Sequence, residues 1–211
     1  MQGMSEEFKV DTSELKKKQS VMLSNVLLMV AKSRRDNINI DETKKLIEEK
    51  NADPNITDSD GNTLLHWTVW TKQYELFDYL LNDKFGLNIK KRNNLGQNIL
   101  HWGCMSGDIK IVKLLIDKGL NINDKDNDGY SCLHGATQFG HLNIIEFIYF
   151  YCQNIIDINI KDNNNRTPLH WACFKGYKFI IKWLLNNGAN MDCIDIYGNN
   201  ILHISCKNNQ I

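Results

Sequence analysis

Five histidines, His66, His101, His134, His170 and His203, stand 35, 33, 36 and 33 residues apart. Imidazoles in one register could form a ladder of metal ligands. Stacked structural units set equivalent atoms roughly 10 Å apart, the distance between packed helices, whereas a zinc ion needs its ligands at about 2 Å. Thr63, Ser131 and Thr167 each place a hydroxyl three residues before a histidine, so a local structural hydrogen bond is expected instead. Asp124-Lys125-Asp126-Asn127-Asp128-Gly129 imitates a calcium loop. Such a loop closes with a bidentate carboxylate at its twelfth position, and that position here is Gly135. The run is therefore expected to be a turn with Gly129 at positive φ. His141 and Cys152 are loose candidates for a base and a nucleophile, but neither belongs to a nucleophile–base grouping, and no phosphate-binding glycine loop is present. No catalytic residue, metal site or cofactor is expected.

The spacing of the histidines points to the elements that hold them. A fixed period near 33 residues marks stacked supersecondary units rather than one globular core. Around each histidine the chain rewrites one phrase: Thr63-Leu64-Leu65-His66-Trp67, Asn98-Ile99-Leu100-His101-Trp102, Ser131-Cys132-Leu133-His134-Gly135, Thr167-Pro168-Leu169-His170-Trp171 and Asn200-Ile201-Leu202-His203-Ile204. The first residue of each is a good helix N-cap, and Pro168 sits where a missing N–H costs nothing. Two residues before the cap come Gly61, Gly96, Gly129, Asn165 and Gly198, suited to positive φ. Gly107, Gly140 and Gly176 stand six residues past a histidine, where they can end the helix, with Lys72 and Asn209 in the outer copies. A second apolar run follows, as in Ile111, Val112, Leu114 and Leu115. Each unit reads as a turn, a short inner helix and an outer helix. These residues carry the ankyrin signature, and from about residue 20 to 211 the chain resembles an ankyrin-repeat protein, an all-α solenoid.

Within that frame, residues 1–12 are expected to be a flexible tail. Residues 13–57 are expected to form a degenerate N-terminal capping repeat with a polar outer face. Its first helix carries Val21, Met22, Val26, Leu27, Val30 and Ala31 at helical spacing, and a polar break follows from Ser33 to Ile40. Residues 58–211 hold the ankyrin repeats: four complete ones at 58–91, 92–124, 125–160 and 161–193, and a final one from Asp195 that is truncated after its inner helix. Two insertions, at Asn82–Leu87 and Cys152–Asp157, are expected in loops. The open last repeat suggests a piece of a longer protein.

Composition limits the function classes. Lys and Arg total 25 against 25 Asp and Glu, so the net charge is zero. That argues against nucleic acid or a charged membrane surface as partner. Hydrophobic content is 42%, yet no stretch approaches the length of a membrane span. The six cysteines include no C-x-x-C pair, and Cys104, Cys173 and Cys206 each lie three residues past a repeat histidine, where they would act as small buried apolar groups. A reducing, cytoplasmic setting fits this usage better than a disulfide framework.

In the architecture that the chain resembles, turns and inner helices build a concave groove. The resemblance puts Trp70, Thr71, Met105, Phe139 and Phe174 in it, with Trp67 and Trp102 directly after their histidines and Gly135 as a gap beside Trp102. A purely solvated face would not carry this apolar load. A narrower resemblance rests on Gly129-Tyr130-Ser131-Cys132-Leu133-His134, on Gln138-Phe139-Gly140-His141 and on Thr63-Leu64-Leu65-His66-Trp67. These are similar to the N-terminal ankyrin domain of the ankyrin-bearing DHHC palmitoyltransferases, the huntingtin-interacting type. The resemblance implies a cytosolic, substrate-recruiting domain tethered to an internal, Golgi-type membrane through a downstream transmembrane enzyme. It implies docking of short, disordered, proline-containing peptides, with the key tryptophan on Trp102 and the groove asparagine on Thr71, a departure from the pattern. The DHHC motif itself is absent, so no acyl transfer is expected of this chain. The alternative is a free-standing ankyrin scaffold or inhibitor that binds a folded partner protein. Either way the chain is expected to be monomeric.

Overall fold

The computed structural model describes residues 12–33, 40–153 and 155–207. Most of the expected N-terminal tail, the centre of the polar break after Ser33 and the expected helix end at Asn209 lie outside the described residues. Within them the chain forms eleven α-helices: α1 (Thr12–Lys32), α2 (Ile40–Glu48), α3 (Leu64–Thr71), α4 (Tyr74–Leu80), α5 (Ile99–Ser106), α6 (Ile109–Asp117), α7 (Cys132–Gln138), α8 (Leu142–Tyr151), α9 (Pro168–Lys175), α10 (Lys178–Asn186) and α11 (Ile201–Lys207). A single antiparallel bridge joins Thr57 and Thr63, and no sheet forms among the described residues.

Each turn is set by one residue. Asp58, Asn93, Asp126, Asp162 and Asp195 all use Oδ1 to accept the backbone N–H groups two and four residues on. These are Asx turns, the local alternative that Asp and Asn offer to helix or sheet. For Asp126 this is the role that the calcium-like run turns out to have. The turns also pin one repeat to the next. Asn127 N–H donates to the Leu95 carbonyl at 2.9 Å, and Asn163 N–H to the Asp128 carbonyl at 2.9 Å. The contact is so close that a Cβ on Gly96 would lie 2.3 Å from Asn127 Oδ1, and Gly96 has φ +77° besides. Glycine is required there both by conformation and by approach.

After the turn, Thr63, Asn98, Ser131 and Thr167 cap α3, α5, α7 and α9, each in a reciprocal box with the histidine three residues on. The inner helices α3, α5, α7, α9 and α11 stack side by side, and α1 packs against α3 to start the row. The outer helices α4, α6, α8 and α10 lie each against its own inner helix. The core runs between the two layers: Leu65, Leu100, Leu133 and Leu169 from the inner helices meet Leu80, Leu115, Ile148 and Leu184 from the outer ones, all 2% exposed or less. The expected insertion at Asn82–Leu87 contains a short 3₁₀ turn, Asp83–Phe85.

The first helix departs from expectation. It buries Ser24, Leu27, Leu28 and Ala31, whereas Val21, Met22 and Val26 face solvent together with Leu15 and Met29. Its exposed face therefore mixes these apolar side chains with Glu14, Lys16, Lys17, Lys18 and Asn25, rather than being uniformly polar. The buried set follows contact with α3, which a stripe of apolar residues on an isolated helix does not reveal. Cys206 is a second correction: Cys104 and Cys173 are buried as expected, but Cys206 is exposed.

Candidate functional site

The repeat histidines are structural. Thr63, Ser131 and Thr167 each donate their backbone N–H to the ring Nδ1 of His66, His134 and His170 at 3.2 Å, with the hydroxyl 2.8 to 3.0 Å from the same nitrogen. The opposite nitrogen crosses to the next repeat. His66 Nε2 donates to the Gln97 carbonyl at 3.1 Å, His101 to Asp124 at 3.1 Å and His134 to Arg166 at 3.0 Å. Burial pushes these imidazoles toward the neutral form, with His66 down to about 4 and His101, His134 and His170 also lowered. His141 is likewise engaged, with Nε2 2.9 Å from the Met105 carbonyl. Burial raises the Cys152 thiol, the wrong direction for a nucleophile.

On the open side of the inner layer, four of the expected groove residues form one connected aromatic group. Trp102 lies at its centre. Its ring meets Trp67 edge-on at 5.2 Å, Trp70 at 5.9 Å and His66 at 5.3 Å. Trp70 in turn meets Phe139 at 5.7 Å. Such edge-to-face pairs are worth about 0.5–1.5 kcal/mol each beyond their buried area. The indole N–H groups are directed inward: Trp67 donates to Asp58 Oδ2 at 2.9 Å, and Trp102 to Gln97 Oε1 at 3.0 Å. The Asp58 carboxyl also meets Lys32 Nζ at 3.0 Å. Burial pushes it up, but hydrogen bonds from Lys32, Asn62 and Trp67 hold it down at about 2. Lys32 further lies 4.7 Å over the Trp67 ring, so the end of α1 covers part of this group. Trp67, Trp70 and Trp102 are half-buried, while Phe139 is exposed. The outward contact surface is thus centred on Phe139, with the half-buried Trp70 and Trp102 beside it.

Other expected groove residues have different roles. Thr71 donates its hydroxyl to the Ala31 carbonyl at 3.0 Å and the Trp67 carbonyl at 2.7 Å. With Gln73, whose amide reaches the Val30, Ala31 and Ser33 carbonyls, it satisfies the C-terminal end of α1. Helix ends leave such carbonyls without partners, but nothing in the local sequence says which side chain will reach them. Gly135 does not leave an open slot beside Trp102. Met105 fills it, with Cγ 3.0 Å from where a Gly135 Cβ would stand. A flexible thioether is well suited to such a gap.

Phe174 belongs to a second group. It is exposed and meets the buried Trp171 at 5.7 Å. Trp171 donates its N–H to Asp162 Oδ2 at 3.1 Å and takes the Tyr130 edge at 5.4 Å. Beside this pair a cavity of about 140 Å³ opens, lined by Arg166, His170, Trp171, Phe174, Asn199 and Ile204, with Asp195 in its wall. Sequence reasoning missed it. The signal was the register after the histidines, which reads Trp67, Trp102, Gly135, Trp171 and Ile204: the last position is aliphatic where three others carry indoles.

No helix of the described residues is long and apolar enough to cross a membrane. A family model described as ankyrin repeats (three copies) matches residues 84–162 and 148–211. No curated protein matches the chain. With that match spanning more than half of its length, and with its turns, capped inner helices and outer helices built in one repeated register, the chain belongs to the ankyrin-repeat family.

Proposed function

We propose that the open face of the inner helices binds an extended, disordered peptide segment of a partner protein, seated on Phe139, Trp70 and Trp102. Ankyrin repeats generally mediate protein–protein interactions and are typically non-catalytic, which supports reading the chain as a binding module rather than an enzyme. The observation that carries the reading is the connected aromatic group from Trp67 to Phe139 with its outermost ring exposed. Aromatic rings at the centre of an interface carry disproportionate binding energy. A proline-containing segment suits them, because a proline ring packs flat on an aromatic face and has little conformational freedom to lose.

The finer reading is that this module recruits substrates for a membrane protein S-palmitoyltransferase on the cytosolic side of an internal membrane. Its support is the motif resemblance around Gly129–His134 and Gln138–His141. Thr71 departs from that pattern, and its hydroxyl is engaged with α1, so peptide preference would differ from the family's. The test of the binding site is selection of a displayed library of unstructured peptides on the folded chain, followed by titration of a selected peptide against wild type and Phe139→Ala. Loss of one exposed ring should weaken binding about tenfold, or 1.4 kcal/mol, with only a small change in melting temperature. Selection of folded domains only, with Phe139→Ala binding them as wild type does, would favour the free-standing scaffold and overturn the peptide reading.

A further inference from the structure

The cavity between α9 and α11 has a counterpart elsewhere in the chain that shows what fits it. Trp102, in the register directly after a repeat histidine, places its ring against His66, Trp67 and Trp70 of the preceding repeat, at 5.3, 5.2 and 5.9 Å. The same three registers one joint before the end are His170, Trp171 and Phe174, and all three line the cavity. The residue in the Trp102 register there is Ile204, whose side chain is too small to reach across. Asn199 stands in the register of Gln97, whose side chain takes the Trp102 indole N–H at 3.0 Å. At the joint between α5 and α7, where the register holds Gly135, Met105 occupies the space, and at the joint between α7 and α9 the register holds Trp171. At the last joint the space remains, about 140 Å³, close to the roughly 150 Å³ of an engineered apolar cavity that admits benzene.

We infer that this cavity is a second, separate subsite that accepts an aromatic side chain of a bound peptide, an indole before a phenyl ring, in the place that Trp102 takes at its own joint. The walls supply what such a ring needs. Trp171 and Phe174 already stand edge to face at 71°, an arrangement that a third ring extends with the offset geometry aromatic groups prefer. The Arg166 guanidinium lies 5.7 Å from the Trp171 ring and 5.9 Å from the Tyr197 ring, and its charge is balanced by the Asp195 carboxylate at 3.6 Å. The subsite is therefore neutral overall and selects for a ring rather than for a charge. His170 Nε2 is directed at the Asn199 and Cys193 carbonyls across the joint but makes no close, well-aligned hydrogen bond, unlike its counterparts in the three preceding repeats. This joint is thus less tightly closed than the others. The proposal rests on the peptide-groove reading for the source of the ring, but the site can be tested without a peptide.

The experiment is a titration of the full chain with N-acetyl-tryptophanamide, N-acetyl-phenylalaninamide and N-acetyl-leucinamide, followed by NMR. The five tryptophans give separate indole N–H signals. The expected result is a saturable shift of the Trp171 indole and of the Phe174 and Asn199 amides, with the Trp67 and Trp102 indoles unmoved. The leucine probe should bind about two- to tenfold more weakly than the tryptophan probe, the margin of an aromatic pair. Ile204→Trp, which would supply the ring internally, should abolish the shift. Ile204→Phe should reduce it and serves if the larger substitution does not fold. No saturable shift at Trp171 would overturn the proposal. So would equal affinity for the leucine probe, or binding undiminished in both variants. Phe139→Ala reports separately on the groove: peptide binding insensitive to it, alongside a Trp171 shift with the free probe, would sink the groove reading and leave the subsite standing.

Discussion

At the joint between α3 and α5, the Trp102 ring lies against three rings of the preceding repeat, and His66 Nε2 reaches the Gln97 carbonyl. At the joint between α9 and α11, the same registers hold Ile204 and His170; the first leaves a cavity and the second makes no close hydrogen bond across the joint. Backbone, capping box and Asx turn are shared by the two. One side chain in one register thus separates a joint that is closed from within from one that is open to a ligand. Inner-face aromatic residues in a solenoid therefore cannot all be read as ligand contacts. Some, like Trp102, are chiefly packing between repeats, and the contact surface passes to neighbours such as Phe139.

The largest effect should come from breaking the closed joint. Trp102→Ala removes a half-buried ring with three aromatic neighbours, and should cost about 3 kcal/mol, the low end for loss of a buried tryptophan. Urea unfolding would measure it, and a loss below about 1 kcal/mol would show that the ring does not hold the joint. Phe139→Ala, which touches the same group from outside, should lower stability far less.

Acid should come next. His66 is held near 4 when folded, against about 6.5 for a free imidazole. Its contribution is complete above pH 6.5 and is lost as pH falls from 6.5 toward 4, about 1.4 kcal/mol per pH unit and so roughly 2 kcal/mol at pH 5. His101, His134 and His170 shift in the same direction. Unfolding at pH 5 should therefore take up protons, and the stability measured by urea melts should rise with pH between 5 and 7. A flat profile over that range would mean that these rings are not buried neutral.

A smaller contrast separates two histidines directly. His134→Gln loses a close inter-repeat hydrogen bond at 3.0 Å, whereas His170→Gln removes a ring that is only directed at the Asn199 and Cys193 carbonyls without a close bond. The first should be the more destabilising by about 1 kcal/mol, the net value of one such bond. Equal losses would indicate that the last joint closes in solution. The smallest effect on energy, though the easiest to read, is thiol reactivity. Cys104, Cys132, Cys152 and Cys173 are buried and should label slowly in the native protein, with Cys206 fast. Fast labelling of Cys104 and Cys173 would break the packing account of those positions.

Most of the architecture was legible because it is local. Thr63, Asn98, Ser131 and Thr167 act as caps, and Gly61, Gly96, Gly129, Asn165 and Gly198 adopt positive φ, at the positions their spacing indicated. Even the substitution of Lys72 for a helix-ending glycine is visible as φ 59°. What the sequence does not carry is which neighbour fills a gap. Met105 reaches under Gly135, Thr71 turns to the end of α1 rather than to the groove, and α1 buries Leu28 instead of Met22. Each of these depends on a contact between residues about 30 or more positions apart, or between helices with no fixed register. The Ile204 cavity lay between the two: its register was readable, but its consequence needed the Trp102 joint as a measure.

The most direct test of the binding face is amide hydrogen exchange of the chain with and without a peptide selected on it. New protection is expected in α5 and α7, along 99–106 and 132–138, and at Phe139, with α6 and α8 unchanged. Protection concentrated on the outer helices, or none on α5 and α7, would contradict it.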